Sequence, residues 1–478
     1  MDPRDQRIAE LEAHVAAQDA VIAAKDVRIA ELERKVEELT KLVMTLKEQL
    51  DRNSNNSNNP PSSDSPAERG TRREKAKSGK KRGGQPGHSG WKRKLAPPEK
   101  VTEFVPLFPS HCEDCHTALP KTPDQSPQRF QTIEWPEPTP EITEWVRHGV
   151  VCPCCNHKTW ASIDRIPKSP FGPRLSSLVA LATGVFHLGR RTAVRFLSDV
   201  VGVEMSLGAV SAVEERVSEA VKAPADEVVK QVEKAPVKHA DGTTWFKGRV
   251  LCSLWTIATK AATAFKILAN GKADTIAPLF GNKLGILVSD RATALKFWAM
   301  DMRQICWAHL LRKAISFSER DGPAGTYGRE LLDYIGIMFR HWYELKAGNL
   351  SRDAFRELMA PVRKQVEALL ERAVEAKLRH VSGSCEDILE HRAALWTFVD
   401  RDDVDPTNNH AERELRAFVL WRKRSFGTQS ERGNLFAERL MTVAHTARKQ
   451  NKNVLAFLTA CCTAARDDTP PPSLFSVA

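Results

Sequence analysis

The sequence predicts a multidomain α+β chain, and three observations predict it. Residues 7 to 50 carry a seven-residue apolar repeat, two Cys-x-x-Cys pairs follow residue 100, and four short strand-like runs lie between residues 236 and 290. A length of 478 residues exceeds one ordinary core, so three or more folding units are expected. No run of about 18 apolar residues occurs, so no membrane partner is expected. The N-terminus lacks the apolar stretch of a secretory signal, and ten cysteines suit a reducing compartment, so the expected location is cytoplasmic.

Residues 1–52 read as a coiled coil. One register places Ile8, Val15, Ile22, Ile29, Val36, Val43 and Leu50 at a, with Leu11, Gln18, Lys25, Leu32, Leu39 and Leu46 at d. β-Branched residues at a with leucine at d favour two parallel strands, hence a homodimer. A single long helix packed on its own chain would not hold this period so long.

Residues 53–100 read as a flexible basic linker. "NSNNSNNPPSSDSP" has nothing apolar to bury. From Arg69 to Lys94 there are eleven Lys or Arg against one acid, Glu74, out of a whole-chain net charge of +11. A concentrated cationic segment that includes Lys80, Lys81 and Arg82 suits phosphate neutralisation on nucleic acid, with a solvated linker as the plain alternative. Trp91 could stack on a base or pack on the next domain.

Residues 101–165 hold the cysteines. "CEDC" and "CPCC" supply Cys112, Cys115, Cys152 and Cys155, spaced as the ligands of one structural zinc ion in a zinc ribbon-like module. Cys154 is spare, and the intervening segment has strand-like runs. A four-thiolate shell leaves no open position, which speaks against catalysis there.

Residues 166–235 read as a helical domain with a helix, turn and helix outline. Gly202 ends the first helix, Ser206 caps the second, and Arg190, Arg191 and Arg195 face outward. That outline fits a DNA-reading unit and an ordinary helical hairpin equally well.

From residue 236 the period changes. "VKHADGTTWF", "RVLCSLWTIAT", "TAFKILA" and "LGILVSD" read as strands, with "ADTIAPLF" as a short helix before the last. Three strands, a helix and a fourth strand is the opening order of a ribonuclease H-like α/β domain. The domain is expected over 236–465, with a helical insertion about 310–396 and a disordered tail at 466–478.

Two acids end predicted strands, Asp241 in "KHADGTTW" and Asp290 in "ILVSDRAT". On adjacent strands they would share one sheet edge, and a third carboxylate would complete a pocket for two divalent cations. Asp301, Asp402, Asp403 and Asp405 lie in turns or loops. Glu412, in "TNNHAERELR", lies on a helix, with Glu414 about 200° around it. With Asn409 as N-cap, Glu412 is also explained by a capping box and by an i, i+4 pair with Arg416, so the residues alone leave the third acid open.

Taken together, the heptads, "GGQPGHSG", the cysteine pairs, "HADGTTW", "LVSDRATA", "CWAHLLRK", "TNNHAERELR" and "RKRSFGTQSERG" resemble the IS sixty-six family of bacterial insertion-sequence transposases, over nearly the whole chain. The resemblance implies a ribonuclease H-like core of the Asp, Asp, Glu type, with Asp241, Asp290 and Glu412 as the triad. "CWAH" matches a Cys-x-x-His signature at Cys306 and His309. Its spacing suits a metal, but a packing role is the preferred reading. The chain departs from the family pattern at Gly242, where many relatives carry an acid, at Thr407, where an aspartate is common, and in lacking a tyrosine near the end of the second motif.

What the resemblance implies is a DNA transposase with two Mg²⁺ (or Mn²⁺) ions held by the triad and one structural Zn²⁺. Its partners would be the element ends and target DNA, a second copy of the chain and accessory element-encoded proteins, in a nucleoid-associated setting. Asn409 and Arg416 would orient Glu412 or reach a phosphate. Arg413 and the Arg422, Lys423, Arg424 cluster are candidate phosphate contacts. Two rivals share these features: a non-catalytic or domesticated dimeric zinc-containing DNA-binding protein, and a structure-specific nuclease on the same fold.

Overall fold

A computed structural model describes residues 3–57, 64, 95–164 and 166–475. The basic segment with Lys80, Lys81, Arg82 and Trp91 lies outside the described residues. The chain forms two compact units, one of Met1–Arg69, Pro167–Arg190 and Gly208–Ala478, the other of Gly70–Ile166 and Arg191–Leu207. Among the described residues no helix is long and apolar enough to cross a membrane.

The larger unit opens with helix α1, Pro3–Leu50. Its flank carries ion pairs at helical spacing, including Arg34–Glu38 and Lys35–Glu31. Its apolar stripe is uncovered: Ile8, Ile22, Leu32, Leu39 and Val43 are all about half exposed or more. The stripe is therefore not packed on its own chain. The C-terminal end of α1 meets the same unit through Arg379 Nη2 donating to Thr45 Oγ1 (3.3 Å). The segment after it begins in a polar knot rather than the expected flexible linker. Asn53 N–H donates to Asn56 Oδ1, and Ser54 N–H and Oγ–H both donate to Asp64. Short asparagine and serine side chains bond nearby backbone, which supplies the order that apolar burial would otherwise give.

Within the smaller unit, strands β1 (Gly149–Val151) and β2 (Lys158–Trp160) form an antiparallel hairpin. Of the strand-like runs expected between the cysteine pairs only the last, at Gly149–Val151, forms a strand; residues 121–148 have no regular structure. Their apolar side chains find no cover, and Ile142 is 90% exposed. Alternation without a facing layer is not enough to make a sheet.

Helices α2 (Pro173–Ala180), α3 (Arg190–Phe196), α4 (Leu207–Ala220) and α5 (Lys222–Lys234) follow. Gly202 ends the turn that continues α3, at φ 71°, as its sequence position predicted.

A five-stranded mixed sheet then forms in the larger unit: β3 (Val237–Lys247), β4 (Val250–Ala258), β5 (Thr263–Leu268), β6 (Ile286–Ser289) and β7 (Arg303–Ile305). The order is β5-β4-β3-β6-β7. β3 pairs antiparallel with β4 and parallel with β6, and β6 pairs parallel with β7. A short helix α6 (Ala273–Ile276) precedes β6. β7 was not legible as a strand, because its Arg303 and Gln304 are polar yet fully buried.

The helical insertion runs through α7 (Trp307–Ser318), α8 (Pro323–Lys346), α9 (Arg352–Glu375), α10 (Ser382–Glu390), α11 (Arg392–Leu395) and α12 (Thr397–Asp400). It has a large apolar core that includes Trp342, Phe355, Trp396 and Phe398. Its two ends meet: Trp307 N–H donates to Pro406 O (2.8 Å), and Asn408 N–H donates to Cys306 Sγ (3.1 Å).

Helices α13 (Asn409–Ser425), α14 (Glu431–Lys449) and α15 (Val454–Arg466) complete the unit. α14 covers the free edge of β5. Glu438, Thr442 and Thr446, one turn apart, accept from the backbone N–H groups of Ile267, Phe265 and Thr263. An edge strand is closed here by side chains in place of another strand. The tail, expected to be disordered, is tied down as far as residue 475. Leu474 is fully buried, and its N–H and Ser473 Oγ–H donate to Glu227 of α5.

Candidate active site

The site grows from the sheet register. β3 and β6 pair in parallel with His239 opposite Val288, so two residues on, Asp241 and Asp290 come level on adjacent strands. Each is held by a local backbone donor: Asp241 Oδ1 accepts from Gly242 N–H (2.9 Å), and Asp290 Oδ1 from Ala292 N–H (2.9 Å). Both line an open cleft of about 410 Å³, beside Thr243, Thr244, Trp255 and Asn270. Gly242 is dictated by its cross-strand partner Trp255. A Cβ there would come within 2.8 Å of the indole ring, so any side chain at this position would displace Trp255.

Glu412 arrives from α13, though not through the predicted capping box. The N-cap is Asn408 rather than Asn409, and its side chain does not cap the helix. Instead Asn408 Nδ2 donates to Ala240 O (2.8 Å), the residue before Asp241. Glu412 N–H donates to Asn408 O (3.2 Å), an ordinary helical bond. The start of α13 is thus set by a tertiary bond to β3, and Asn409 is left exposed. The anticipated Arg416 pair is absent too. Arg416 is exposed, and the cation acting on Glu412 is Arg312 of α7. Glu414 faces elsewhere, towards His445 and Lys449, the latter 3.1 Å away.

The three acids feel one another. Burial, then the charges of Asp290 and Glu412, push the Asp241 carboxyl up from 3.8 to about 8. Glu412 is also raised, by burial first and by Asp290, with Arg312 opposing. Carboxylates gathered so that one resists ionisation make a place for cations.

Cys306 and His309 stand at the first turn of α7, against Glu412. Among the described residues, the one group of three or more potential metal-ligating His, Cys, Asp or Glu side chains is Cys306, His309 and Glu412. Burial pushes the Cys306 thiol up to about 11 and the His309 imidazole down to about 3, the latter with help from Arg312 and Arg291.

The other candidates divide. Arg413, Arg416, Lys423 and Arg424 are exposed on α13. Arg422 is not free for a phosphate. Its guanidinium donates to Thr243 Oγ1 (3.1 Å) and to the carbonyl and hydroxyl of Thr244. It braces α13 on β3 beside Asp241.

In the smaller unit the two cysteine pairs adopt the same turn. Cys112 N–H donates to Thr117 O and His116 N–H to Cys112 O; Cys152 N–H donates to His157 O and Asn156 N–H to Cys152 O. His116 and Asn156 both take positive φ, 57° and 55°. Hydrogen bonds from Thr117 and Cys112 lower the Cys115 thiol to about 7. The two pairs are not gathered into one four-thiol group.

Sequence reasoning missed Asn408, Arg312 and the bracing role of Arg422. The one available signal was the doubled asparagine of "TNNHAE", which left the N-cap ambiguous.

Comparison with known families gives two matches. The model described as "Transposase IS66 family" matches residues 168–435, a span that contains Asp241, Asp290 and Glu412. A family of unknown function, DUF6444, matches residues 1–94. No curated protein matches the chain.

Proposed function

Because the chain belongs to the transposase IS66 family, we propose that it cuts the ends of its own mobile element and joins them to target DNA by two-metal phosphodiester chemistry. What supports this reading is the level placing of Asp241 and Asp290 at β3 and the end of β6, with the charges of Asp290 and Glu412 helping burial to hold the Asp241 carboxyl up to about 8. The order and direction of the strands support a ribonuclease H-like core.

The donor set fits magnesium or manganese: three carboxylates, two of them lining an open cleft. Two such ions, when bound, activate the attacking oxygen and stabilise the leaving oxygen. The chain's own part is placement. Asp241 and Asp290 are fixed by the sheet, Glu412 by Asn408 through Ala240, and Arg312 offsets part of the negative charge. Arg422 braces α13 by holding Thr243 and Thr244 along the cleft wall. Arg413, Arg416, Lys423 and Arg424 present cations to a DNA backbone. Water attack at the element end leaves a 3′ hydroxyl, and that hydroxyl then attacks the target strand in line.

The remaining parts serve DNA handling. The uncovered stripe of α1 supports pairing with a second copy as a coiled coil, so that two ends are held together. Cys112, Cys115, Cys152 and Cys155 are the proposed ligands of one structural zinc. The matching turns support this, and zinc would draw the two pairs together. The basic segment and the helices around Gly202 would read the element ends, with accessory element-encoded proteins assisting.

The test is Mg²⁺- or Mn²⁺-dependent nicking of element-end DNA, followed by a strand-transfer assay. Cleavage and joining are expected, and both are lost in Asp241→Ala, Asp290→Ala and Glu412→Ala. Full cleavage by all three variants would sink the enzymatic reading. Cutting of junctions or hybrids without joining would assign a nuclease instead.

A further inference from the structure

Beside the three-acid cleft, two polar atoms face each other with nothing to satisfy them. His309 Nδ1 and Glu412 Oε1 are both shut off from solvent and neither makes a hydrogen bond. They stand 3.8 Å apart, beyond hydrogen-bond range. Buried polar atoms are nearly always paired, so a facing pair left open calls for something between them. The third wall is Cys306, fully buried one turn before His309. Its sulfur already accepts the Asn408 N–H at 3.1 Å.

We propose that Cys306 Sγ, His309 Nδ1 and Glu412 Oε1 form a site for one zinc-class divalent ion that shares Glu412 with the three-acid cleft. The three ligand atoms lie within 4.8 Å of one another. Tetrahedral zinc, with bonds of about 2.0–2.3 Å, sets its ligands roughly 3.3–3.8 Å apart. The His309–Glu412 pair, at 3.8 Å, lies a few tenths of an ångström beyond a nitrogen–oxygen pair in such a site, and no pair needs to close by more than about 1.3 Å. A sulfur, nitrogen and oxygen set selects zinc over magnesium, which takes oxygen ligands and keeps its waters. The Asn408 N–H bonded to Cys306 Sγ has the place of an outer-shell donor that orients a metal-bound thiolate. Cys306 is the N-cap of a 12-residue helix, and His309 lies in that helix's first turn.

Such an ion holds Glu412 by its buried oxygen. The side chain as a whole is 34% exposed, and of its two oxygens only Oε1 is shut off from solvent without a partner. The ion is then a positioning device for the third acid, and the packing role expected of the Cys-x-x-His pair becomes a ligand role. The inference stands on these three side chains and does not depend on the transposase reading.

The experiment strips the full-length protein of metal, reloads it with Zn²⁺ alone, removes free ion and counts bound zinc. Cys306→Ala and His309→Gln are each expected to hold one equivalent fewer than the unaltered chain, and Asp241→Asn is expected to hold as many. Loading with Co²⁺ in place of zinc should show thiolate-to-metal absorption that falls in Cys306→Ala. If Cys306→Ala does not fold, His309→Gln and Glu412→Gln carry the count. A folded His309→Gln chain with undiminished zinc overturns the site. Loss of the same equivalent in Asp241→Asn also overturns it, because the ion would then belong to the three-acid cleft.

Discussion

The sheet region and the cysteine-bearing region solve opposite problems. The sheet has apolar layers to bury, and its residues bury them: Trp245, Leu254, Phe265, Leu287 and Phe418 are all essentially inaccessible. Its load is electrostatic: burial and the charges of Asp290 and Glu412 hold the Asp241 carboxyl up to about 8. The cysteine region has the reverse condition. Its turns are formed and its backbone bonds are made, yet Phe130, Trp135 and Ile142 stand in solvent and its thiols remain in separate pairs. The difference teaches where ligands act. On the proposed reading, a cation would relieve charge in a finished fold in the first region and would finish the fold in the second.

The largest expected effect comes from attacking the first half of that comparison. Asp241→Asn should lower DNA cleavage by roughly 10³-fold or more, because positioned metal contacts are worth several kcal/mol. The same variant should not destabilise the metal-free chain. The folded-state value of Asp241 is raised, to about 8. Its contribution to stability is therefore complete below the ordinary value of 3.8 and is lost as pH rises towards 8. Melting temperatures of metal-free protein should fall between pH 5 and 8, less so in Asp241→Asn and less so with Mg²⁺ present. An equal fall in all three would break the picture of a finished fold under electrostatic load.

The second half is attacked with a zinc chelator. Amide exchange over residues 95–164 should accelerate by about tenfold or more while the sheet strands stay protected. Uniform acceleration, or none, would erase the distinction between the two regions. Smaller in ratio is the expected effect of deleting residues 1–52, which should halve the mass in light scattering if the stripe of α1 is covered by a second copy. An unchanged mass would leave the stripe without that occupant. Smallest is Thr442→Val. It strips the acceptor from the buried Phe265 N–H and should lower the melting temperature by roughly 2–6 °C, without affecting the cysteine region.

Much of the sheet region was legible because its signals are local. Period-two apolar runs marked β3 to β6, and the two aspartates fell at positions that parallel pairing brings level. The half-turn between Glu412 and Glu414 does part the two side chains: Glu412 stands by Cys306 and His309, and Glu414 by His445 and Lys449. What was not legible depends on residues far apart in the chain. Asn408 rather than Asn409 begins α13 because of a bond to Ala240, 168 positions away. Arg312, not Arg416, balances Glu412. Arg422 spends its donors on Thr243 and Thr244. β7 hides because Arg303 and Gln304 are polar and still buried. In the cysteine region the runs between the pairs predicted strands, but only Gly149–Val151 finds a partner, and the residues before it have no facing layer.

The meeting of the two ends of the helical insertion has a mechanical meaning. Residues 306–307 and 406–408 are fastened to each other by two hydrogen bonds. The hundred residues between them leave and return at one point, yet they are not a detached lobe: Thr397 Oγ1 donates to Arg303 O, Phe398 N–H donates to Gln304 Oε1, and their apolar core runs on into Ile286, Val288 and Ile305 of the sheet. Cys306, His309 and Arg312 also lie on this excursion and act on Glu412, so a displacement of the insertion would reach that residue directly.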